Sequence, residues 1–219
     1  MWLNKDYDKN LSRNSLEQLI KEGEHDQQDF KYKISDSRKI ARTLSAFSNT
    51  HGGRILIGVK DNGQIAGVKN EDDIYMVESA SQLFSNPPID VNVEAHQISG
   101  KLIWEISIVE GKKKPYMVEE REGMVAYYRD NDENFEANSV LIEIWRQEQA
   151  IISKRPIKFS GNEKKLIDYL KVYPNISVSK ASKITGLQRS TTVETIARLT
   201  RWKVLDWYQE KGKFYYFLD

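Results

Sequence analysis

The sequence has no cysteine and only three histidines, His25, His51 and His96, at scattered positions. The absence of cysteine excludes disulfide bonds, thiolate metal sites and thiol nucleophiles, and the scattered histidines predict no cluster of imidazole ligands. No apolar run approaches the roughly 20 residues of a membrane-spanning helix, so we expect no membrane insertion. Charge interrupts the N-terminal stretch MWLNKDYDKN, which lacks the pattern of a secretory signal, and we expect a cytoplasmic protein.

Charge is distributed unevenly along the 219 residues, although the net charge is only +1. Residues 156–219 contain 12 basic and 6 acidic residues, a net charge of +6, whereas residues 1–155 contain the remaining 21 basic and 26 acidic residues, a net charge of −5. A basic region behind an acidic body suggests an anionic partner, most plausibly nucleic acid. A lysine-rich solvated surface would give the same count, so the charge alone leaves both interpretations open.

Hydrophobic periodicity predicts a first domain of helices and strands at 1–153. Helical spacing predicts helices from near Asn14 and over 37–50, 71–84 and 137–150, the last of which is expected to finish this domain. Alternating or β-branched runs predict strands over 27–33, 55–59, 65–68, 91–95, 102–109, 116–119 and 124–128. The charge balance and the hydrophobic period both change at 154–156, which predicts a linker before a second domain at 156–219.

Four charged residues of the first domain are candidates for chemistry. Glu24, Asp29 and Lys31 lie within EHDQQDFK, and Asp61 follows the buried strand ILIGV. Carboxylates that converge at the mouth of a small sheet can hold a divalent cation such as Mg²⁺, and a nearby lysine can neutralise a phosphate. Alternatively, Glu24 is an ordinary charge near a helix end and Asp61 only begins the Asp-Asn-Gly turn. The spacing does not decide between them.

The same segments resemble the Schlafen AlbA domain. The resemblance runs from Glu22 to Trp145 and rests on EHDQQDFK, LSAFSNTHGGRILIGVKDNGQIAGV and the later pieces KPY and YYR, in the family's order and spacing. It implies a compact α+β domain that binds DNA or RNA. Some eukaryotic relatives cut tRNA and rRNA with three acidic residues, and the resemblance places those at Glu24, Asp29 and Asp61.

Differences from the family pattern argue against nuclease activity. Asp29 replaces a glutamate and is one methylene shorter, Lys60 stands where the family often has an aspartate, and acidic residues follow Arg129 in place of Arg-x-Gly. Acid at that place would repel a phosphate backbone. Many bacterial relatives are described as ATP-binding, but this chain has no Gly-x4-Gly-Lys-Ser/Thr loop to cradle phosphates, so we expect no nucleotide hydrolysis.

The second domain has the pattern of three helices and a hairpin. Apolar spacing predicts helices over 163–172, 178–184 and from 187 to about 202, with Gly186 ending the second helix. Alternating residues over 205–207 and 214–218 flank the turn Lys211-Gly212-Lys213. The stretch resembles the winged helix-turn-helix along its whole length, through GLQRST and Arg198-Leu199. Two departures are Gln188, where Ser or Thr usually caps the third helix, and Lys203, where Gly usually ends it.

In winged helices the third helix enters the major groove of DNA, with its N-terminal residues nearest the bases. The expected nucleic-acid contacts are Arg189, Ser190, Thr191, Thr195 and Arg198 on this helix, Lys211 and Lys213 in the hairpin, and Lys31 in the first domain. Arg198 follows Arg189 by nine residues and is therefore rotated half a turn from it. Arg189 is expected nearest the bases, and Arg198 is expected to pair with an acid or flank the groove.

The sequence as a whole predicts a bacterial-type transcriptional regulator that binds duplex DNA, with RNA as a second candidate partner, and that has no cofactor. A homodimer is expected by analogy, because two readers on adjacent half-sites multiply specificity. The alternative is an endoribonuclease in which Glu24, Asp29 and Asp61 hold Mg²⁺ or Mn²⁺ and the winged helix delivers substrate. A third possibility is a module that docks proteins. Convergence of the three carboxylates around one cation would favour the nuclease.

Overall fold

The computed structural model describes residues 13–69, 71–149 and 161–219, and the chain divides into two compact units. We refer to residues 1–136 as the N-terminal unit and to residues 137–219 as the C-terminal unit. The N-terminal stretch MWLNKDYDKN and the predicted linker at 154–156 lie outside the described residues. Within the described ranges, no helix has both the length and the apolar composition needed to cross a membrane.

The N-terminal unit contains three helices and eight strands in its described part. The helices are α1 (Arg13–Glu22), α2 (Ser37–Asn49) and α3 (Asp72–Gln82). The strands are β1 (Gln28–Lys31), β2 (Gly53–Ile57), β3 (Ser85–Asn86), β4 (Val91–Ile98), β5 (Lys101–Ile108), β6 (Met117–Glu120), β7 (Gly123–Asp130) and β8 (Glu133–Glu136). This mixture of helices and sheets confirms the predicted α+β class.

Two four-stranded sheets organise this unit. The first has the order β1-β2-β5-β4, in which β1 and β2 run parallel and the other neighbours are antiparallel. The second has the order β3-β6-β7-β8 and is antiparallel throughout. Strand β8 was not predicted, because its sequence Glu-Asn-Phe-Glu has one apolar residue. The strand predicted over 65–68 is absent, and Ile65 makes only an isolated bridge with Val59.

The hydrophobic core lies on both faces of the first sheet. Residues on one face of β2 and β5 pack with α2 and α3, including Leu44, Phe47 and Ile106, which are fully buried. On the other face, Leu16 and Ile20 of α1 pack in a second cluster that includes Leu56 of β2. The successive residues Ile55, Leu56 and Ile57 therefore face alternate layers, which explains why this strand is an uninterrupted apolar run.

The turn that joins α2 to β2 has no room for a side chain at Gly52 or Gly53. Gly52 has a φ of 70°, and its N–H donates to the Phe47 carbonyl at 2.9 Å. A Cβ on Gly53 would lie 2.8 Å from both the Gln27 carbonyl oxygen and the Phe47 ring. Both glycines are therefore required by the backbone, as their predicted role in a tight turn and close packing suggests.

The C-terminal unit contains four described helices and a hairpin. These are α4 (Ser139–Gln149), α5 (Gly161–Leu170), α6 (Val178–Thr185), α7 (Arg189–Arg201), and the antiparallel strands β9 (Leu205–Glu210) and β10 (Lys213–Leu218). Helix α6 is capped by the Ser177 hydroxyl, which accepts from the Lys180 N–H at 3.3 Å, and it ends at Gly186 in the left-handed conformation. The order of the last three helices and the hairpin follows the sequence prediction.

Helix α4 differs from its predicted place. We expected α4 to be the last helix of the first domain. It instead packs against α7 and belongs to the C-terminal unit, which begins at Ala137. Asn138 caps it by accepting from the N–H groups of Val140 and Leu141, each at 2.9 Å, and also donates to the Tyr216 hydroxyl at 3.0 Å. The amphipathic pattern predicted the helix but could not say which core its apolar face would join.

Candidate functional site

Strand β1 places Glu24, Asp29 and Lys31 close together. Asp29 is 4% exposed. Lys31 Nζ lies 2.6 Å from Asp29 Oδ2 and forms an ion pair with it, although the two groups are not oriented for a hydrogen bond. The same ammonium donates to the Phe30 carbonyl at 2.8 Å. Lys31, predicted to contact nucleic acid, therefore has its charge balanced within the protein.

Glu24 lies beside this pair and is half-buried. Its Oε1 accepts a hydrogen bond from the Phe30 N–H at 2.8 Å. Burial raises the pKa of Glu24, the Phe30 hydrogen bond opposes the rise, and the neighbouring Asp29 carboxyl adds to it. The two carboxyl groups predicted to act together are thus neighbours, and their proximity favours a proton on Glu24.

Arg129 completes this cluster from a distant part of the chain. Its Nη2 donates to Asp29 Oδ1 at 3.3 Å and to the carbonyls of His25 and Gln28, and its guanidinium lies over the Phe47 ring at 5.1 Å. Arg129 is only 6% exposed. The YYR motif thus supplies a buried cation that fixes β1, and the acidic residues that follow Arg129 do not prevent this structural role.

Asp61 stands apart from the other two carboxylates. It is exposed in the turn after β2, where the Gln64 N–H donates to Asn62 Oδ1 at 3.0 Å. In the part of the chain that the structure describes, ligand atoms of Glu24, Asp29 and Asp61 do not all lie within 4.8 Å of one another. The predicted convergence of three carboxylates, on which the nuclease alternative depends, is not found in this geometry.

Ser45 and the AFSNT residue Asn49 join helix α2 to the second sheet. Asn49 is buried and donates to the carbonyls of Tyr116 and Tyr127 at 2.8 and 2.9 Å, while its Oδ1 accepts from the Tyr116 N–H at 2.8 Å. Ser45 donates to the Tyr116 carbonyl at 2.7 Å and accepts from the Tyr127 N–H at 3.2 Å. These bonds connect the AFSNT, KPY and YYR motifs directly, so all three have structural roles.

A groove of about 960 Å³ in the same unit contains charges of both signs. Arg42 on its wall is held by Glu120 through two hydrogen bonds of 2.6 and 2.8 Å, and the Tyr127 hydroxyl donates to the same carboxylate at 3.0 Å. The hydrogen bond from Arg42 lowers the pKa of Glu120, whereas burial raises the pKa of Tyr127 to about 12. The groove therefore does not present a continuous positive surface to a phosphate backbone.

In the C-terminal unit, three of the five predicted contacts on α7 are exposed. Arg189, Ser190 and Thr191 are exposed in the first turn. Thr195 is only 4% exposed and donates to the Thr191 carbonyl at 2.7 Å, so its predicted place on the surface is wrong. Threonine hydroxyls commonly form this bond within a helix, which allows them to be buried.

Arg198 is half-exposed and pairs with an acid, as one of its two predicted roles anticipated. Its guanidinium hydrogen-bonds to the buried Glu163 of α5 through Nε at 3.1 Å and also through Nη2, and it lies over the Trp202 ring at 5.5 Å. A buried carboxylate needs such a partner. Arg198 therefore joins α5 to α7, and only the remaining part of its side chain reaches the surface.

Most exposed and half-exposed polar residues of α7 form a narrow stripe, which the sequence predicted only in part. We define this α7 stripe as Ser190, Thr191, Glu194, Arg198 and Arg201, which lie within 100° of one another around the helix axis. Glu194 makes its centre acidic and Arg201 makes its end basic, and the sequence prediction missed both residues. The helical spacing of Ser190, Glu194 and Arg201 at i, i+4 and i+11 could have indicated this stripe. Arg189 lies on the opposite side and is exposed because it begins the helix.

The hairpin presents Lys211 and Lys213 as predicted, both exposed around Gly212. Tyr208, Tyr215 and Phe217 form an aromatic cluster on one hairpin face, with ring centroids 5.5 and 5.9 Å apart for the two pairs that include Tyr208. The opposite face carries Tyr216, which is buried. The hairpin is thus anchored by aromatic packing, while its turn carries two exposed cations.

Comparison with known proteins gives a family profile and remote structural relatives. No protein with a curated description matches the sequence. The DIP2311 protein from Corynebacterium diphtheriae is 15% identical, with a TM-score of 0.47 over 86% of this chain and 34% of that one, so this chain spans about a third of its length. The N-terminal domain of a RecG-related protein from Nitrosomonas europaea is 14% identical, with a TM-score of 0.40 over 68% of this chain and 95% of that domain.

The profile of the family described as Schlafen, AlbA_2 matches residues 24–138, which begin at Glu24 and end just beyond β8. The matched range contains the AFSNT, KPY and YYR motifs that the structure connects through Ser45, Asn49 and Arg129. It covers more than half of the 219 residues. The chain therefore belongs to the Schlafen AlbA_2 family.

Proposed function

We propose that this protein is a DNA-binding transcriptional regulator whose C-terminal unit reads duplex DNA as a winged helix-turn-helix. The observation that carries the proposal is the arrangement of α6, the turn 186–188 and α7. Gly186 has a φ of 72°, which lets the chain reverse in three residues before α7 begins at Arg189. Two helices joined by a short turn with glycine, followed by a hairpin, are the parts of this DNA-binding motif.

The first turn of α7 supports contact with a phosphate. Gln188 precedes the helix and makes no side-chain hydrogen bond to its first N–H groups. Free N–H groups at a helix N-terminus attract anions, and Ser190 and Thr191 add exposed hydroxyl groups there. A DNA phosphate bound at this turn would fix the position of α7 against the groove, with the Arg189 guanidinium beside it.

Cations at two other places support the same orientation, namely the exposed lysines of the hairpin turn and the half-exposed Arg201. Lys211 and Lys213 at the hairpin turn would contact the backbone on one side of α7, and Arg201 would do so at its C-terminal end. Thr191 and Glu194 of the α7 stripe would then face the base edges, where glutamate can accept a hydrogen bond from cytosine. This assignment moves base reading from Arg189 to the α7 stripe.

The N-terminal unit is proposed to regulate this reader. Nucleic-acid binding is the function that the Schlafen AlbA resemblance implies, so RNA or a second DNA segment is its proposed ligand class. A homodimer acting in the bacterial cytoplasm, in which two C-terminal units occupy adjacent half-sites, belongs to the same proposal. The acidic net charge of residues 1–155 supports a division of labour in which the C-terminal unit provides most of the DNA affinity.

The proposal is tested by selecting duplexes from a random-sequence library with the full chain. We expect enrichment of one motif, and fluorescence anisotropy should give at least about a hundredfold tighter binding to it than to its scrambled sequence. Thr191→Ala and Glu194→Ala should each reduce this ratio, while Glu210→Ala, an exposed acid of the hairpin, should leave it unchanged. Failure to enrich any motif, together with no duplex binding at low salt, would contradict the proposal.

A further inference from the structure

A polar cluster lies on the α1 side of the first sheet, away from the carboxylates of β1. Glu94 and His96 are two residues apart on the edge strand β4, and Glu105 of β5 lies directly opposite Glu94. Residues i and i+2 of a strand and the cross-strand partner of i share one face of a sheet. Ligand atoms of Glu94, His96 and Glu105 accordingly all lie within 4.8 Å of one another.

Two members of this cluster are buried, which is unusual for such side chains. His96 is 6% exposed and Glu105 is 7% exposed, while Glu94 is half-buried and open to solvent. His96 Nε2 lies 3.0 Å from Glu105 Oε2. In a tetrahedral zinc site with bonds of about 2.0–2.1 Å, donor atoms are about 3.3 Å apart. The imidazole and carboxylate are therefore spaced almost as two ligands of one ion.

Surrounding residues hold the two carboxylates in place. Asn92 donates to Glu94 Oε1 at 2.6 Å, and Arg54 Nη1 lies 3.6 Å from Glu105 Oε1, the oxygen that does not face His96. Ligands that are themselves hydrogen-bonded are typical of metal sites.

We propose that Glu94, His96 and Glu105 bind a divalent transition-metal ion of the zinc class, which links the edge strand β4 to β5. One imidazole with two carboxylates suits such an ion better than Ca²⁺ or Mg²⁺, which prefer oxygen ligands alone. Two carboxylates beside Arg54 leave a net charge of −1 to attract it. A water molecule on the solvent side of Glu94 would complete the coordination.

The test uses the full chain, stripped with a chelator and titrated with Co²⁺, whose visible absorption reports its ligands. We expect one equivalent to bind and to be displaced by Zn²⁺, and we expect Zn²⁺ to raise the melting temperature. Glu94→Gln and His96→Gln should each weaken Zn²⁺ binding at least about tenfold. Glu94→Gln is decisive if His96→Gln fails to fold, because Glu94 is only half-buried.

The matched control replaces the other two histidines of the chain, His25→Gln with His51→Gln, and should bind Co²⁺ as the unmodified protein does. Loss of binding in this control, with binding retained in Glu94→Gln, would place the metal at His25 and His51 and overturn the proposal. Absence of Co²⁺ and Zn²⁺ binding in the folded full chain would also overturn it. Neither outcome depends on whether the C-terminal unit binds DNA.

Discussion

Arg129 Nη2 donates to Asp29 Oδ1 at 3.3 Å across 100 residues of sequence, and both side chains are buried. The pair joins β7 to β1 and leaves Asp29 between two cations, since Lys31 Nζ lies 2.6 Å from its other oxygen. Removing one partner of a buried ion pair leaves an uncompensated charge and is strongly destabilising. Asp29 therefore has a structural role and stabilises the N-terminal unit.

From this geometry we expect no Mg²⁺- or Mn²⁺-dependent cleavage of RNA. Asp29 is already neutralised, and Asp61 does not join Glu24 and Asp29 in one cluster. Incubation of tRNA with the purified chain and either metal, followed by gel analysis, measures this. Cleavage that disappears in Glu24→Ala with Asp61→Ala, but persists in the exposed control Glu22→Ala with Asp26→Ala, would instead support the endoribonuclease.

Glu24 makes the stability of the N-terminal unit depend on pH. Because its pKa is raised in the folded state, this carboxyl contributes stability below the unfolded pKa near 4.5, and the contribution is lost as pH rises through the folded pKa. Glu24→Gln keeps an acceptor for the Phe30 N–H and removes the repulsion from Asp29. We expect it to stabilise the protein at pH 7 by up to about 0.5 kcal/mol, since solvent screens a half-exposed group.

Urea unfolding of Glu24→Gln and the unmodified chain between pH 4 and 8 checks this expectation. The difference should shrink toward zero as pH falls to about 4. Glu22→Gln, an exposed position in α1, should give no such pH-dependent difference. A Glu24→Gln variant that is less stable than the unmodified chain at pH 7 would show that the carboxylate is stabilising there.

The two ends of α7 should tolerate stabilising substitutions. Gln188 caps the helix without a side-chain hydrogen bond, and Lys203 follows it with a φ of 56°, a conformation that favours glycine. Gln188→Ser and Lys203→Gly should each raise the free energy of unfolding by about 0.5–1 kcal/mol. Thermal melts measure the gain, and Gln188→Ala and Lys203→Ala should show none. Equal melting temperatures for serine and alanine at 188 would refute the capping argument.

Helix α4 should be needed for the C-terminal unit to fold as an isolated fragment. Because it packs on α7 in the structure, we expect the fragment 137–219 to melt cooperatively on its own. The fragment 156–219, which matches the domain predicted from sequence, should melt at lower temperature and bind the dye ANS through apolar surface that α4 would cover. Calorimetry of both fragments compares them. Similar cooperative melts of the two fragments would instead support the sequence prediction that α4 belongs to the first domain.

Local sequence predicted most of the helices and strands but not their long-range partners. The spacing of Ile40, Leu44 and Phe47 predicted α2 within one residue, and the glycine after Thr185 correctly predicted the end of α6. Periodicity could not show that the apolar face of α4 packs on α7. Periodicity also predicted Thr195 at the surface, because it does not reveal that the threonine hydroxyl donates to a carbonyl of its own helix.

The candidate sites were predictable to a smaller extent for the same reason. Glu24, Asp29 and Lys31 lie within eight residues, so their proximity was evident. Arg129 reaches Asp29 only through the pairing of β7 in the second sheet, and His96 meets Glu105 only through the register of β4 and β5. The first contact depends on strand order, which no local pattern encodes, whereas the second depends on the register that the short turn between β4 and β5 sets.

The salt dependence of duplex binding tests the central claim, that the C-terminal unit holds DNA through its hairpin and α7. Lys211→Ala with Lys213→Ala should flatten the slope of log affinity against log salt concentration by about two and weaken all sequences alike. The control Lys164→Ala with Lys165→Ala removes the same charge from the exposed side of α5 and should change the slope by less than about one. Identical slopes for the unmodified chain and both variants would contradict the account.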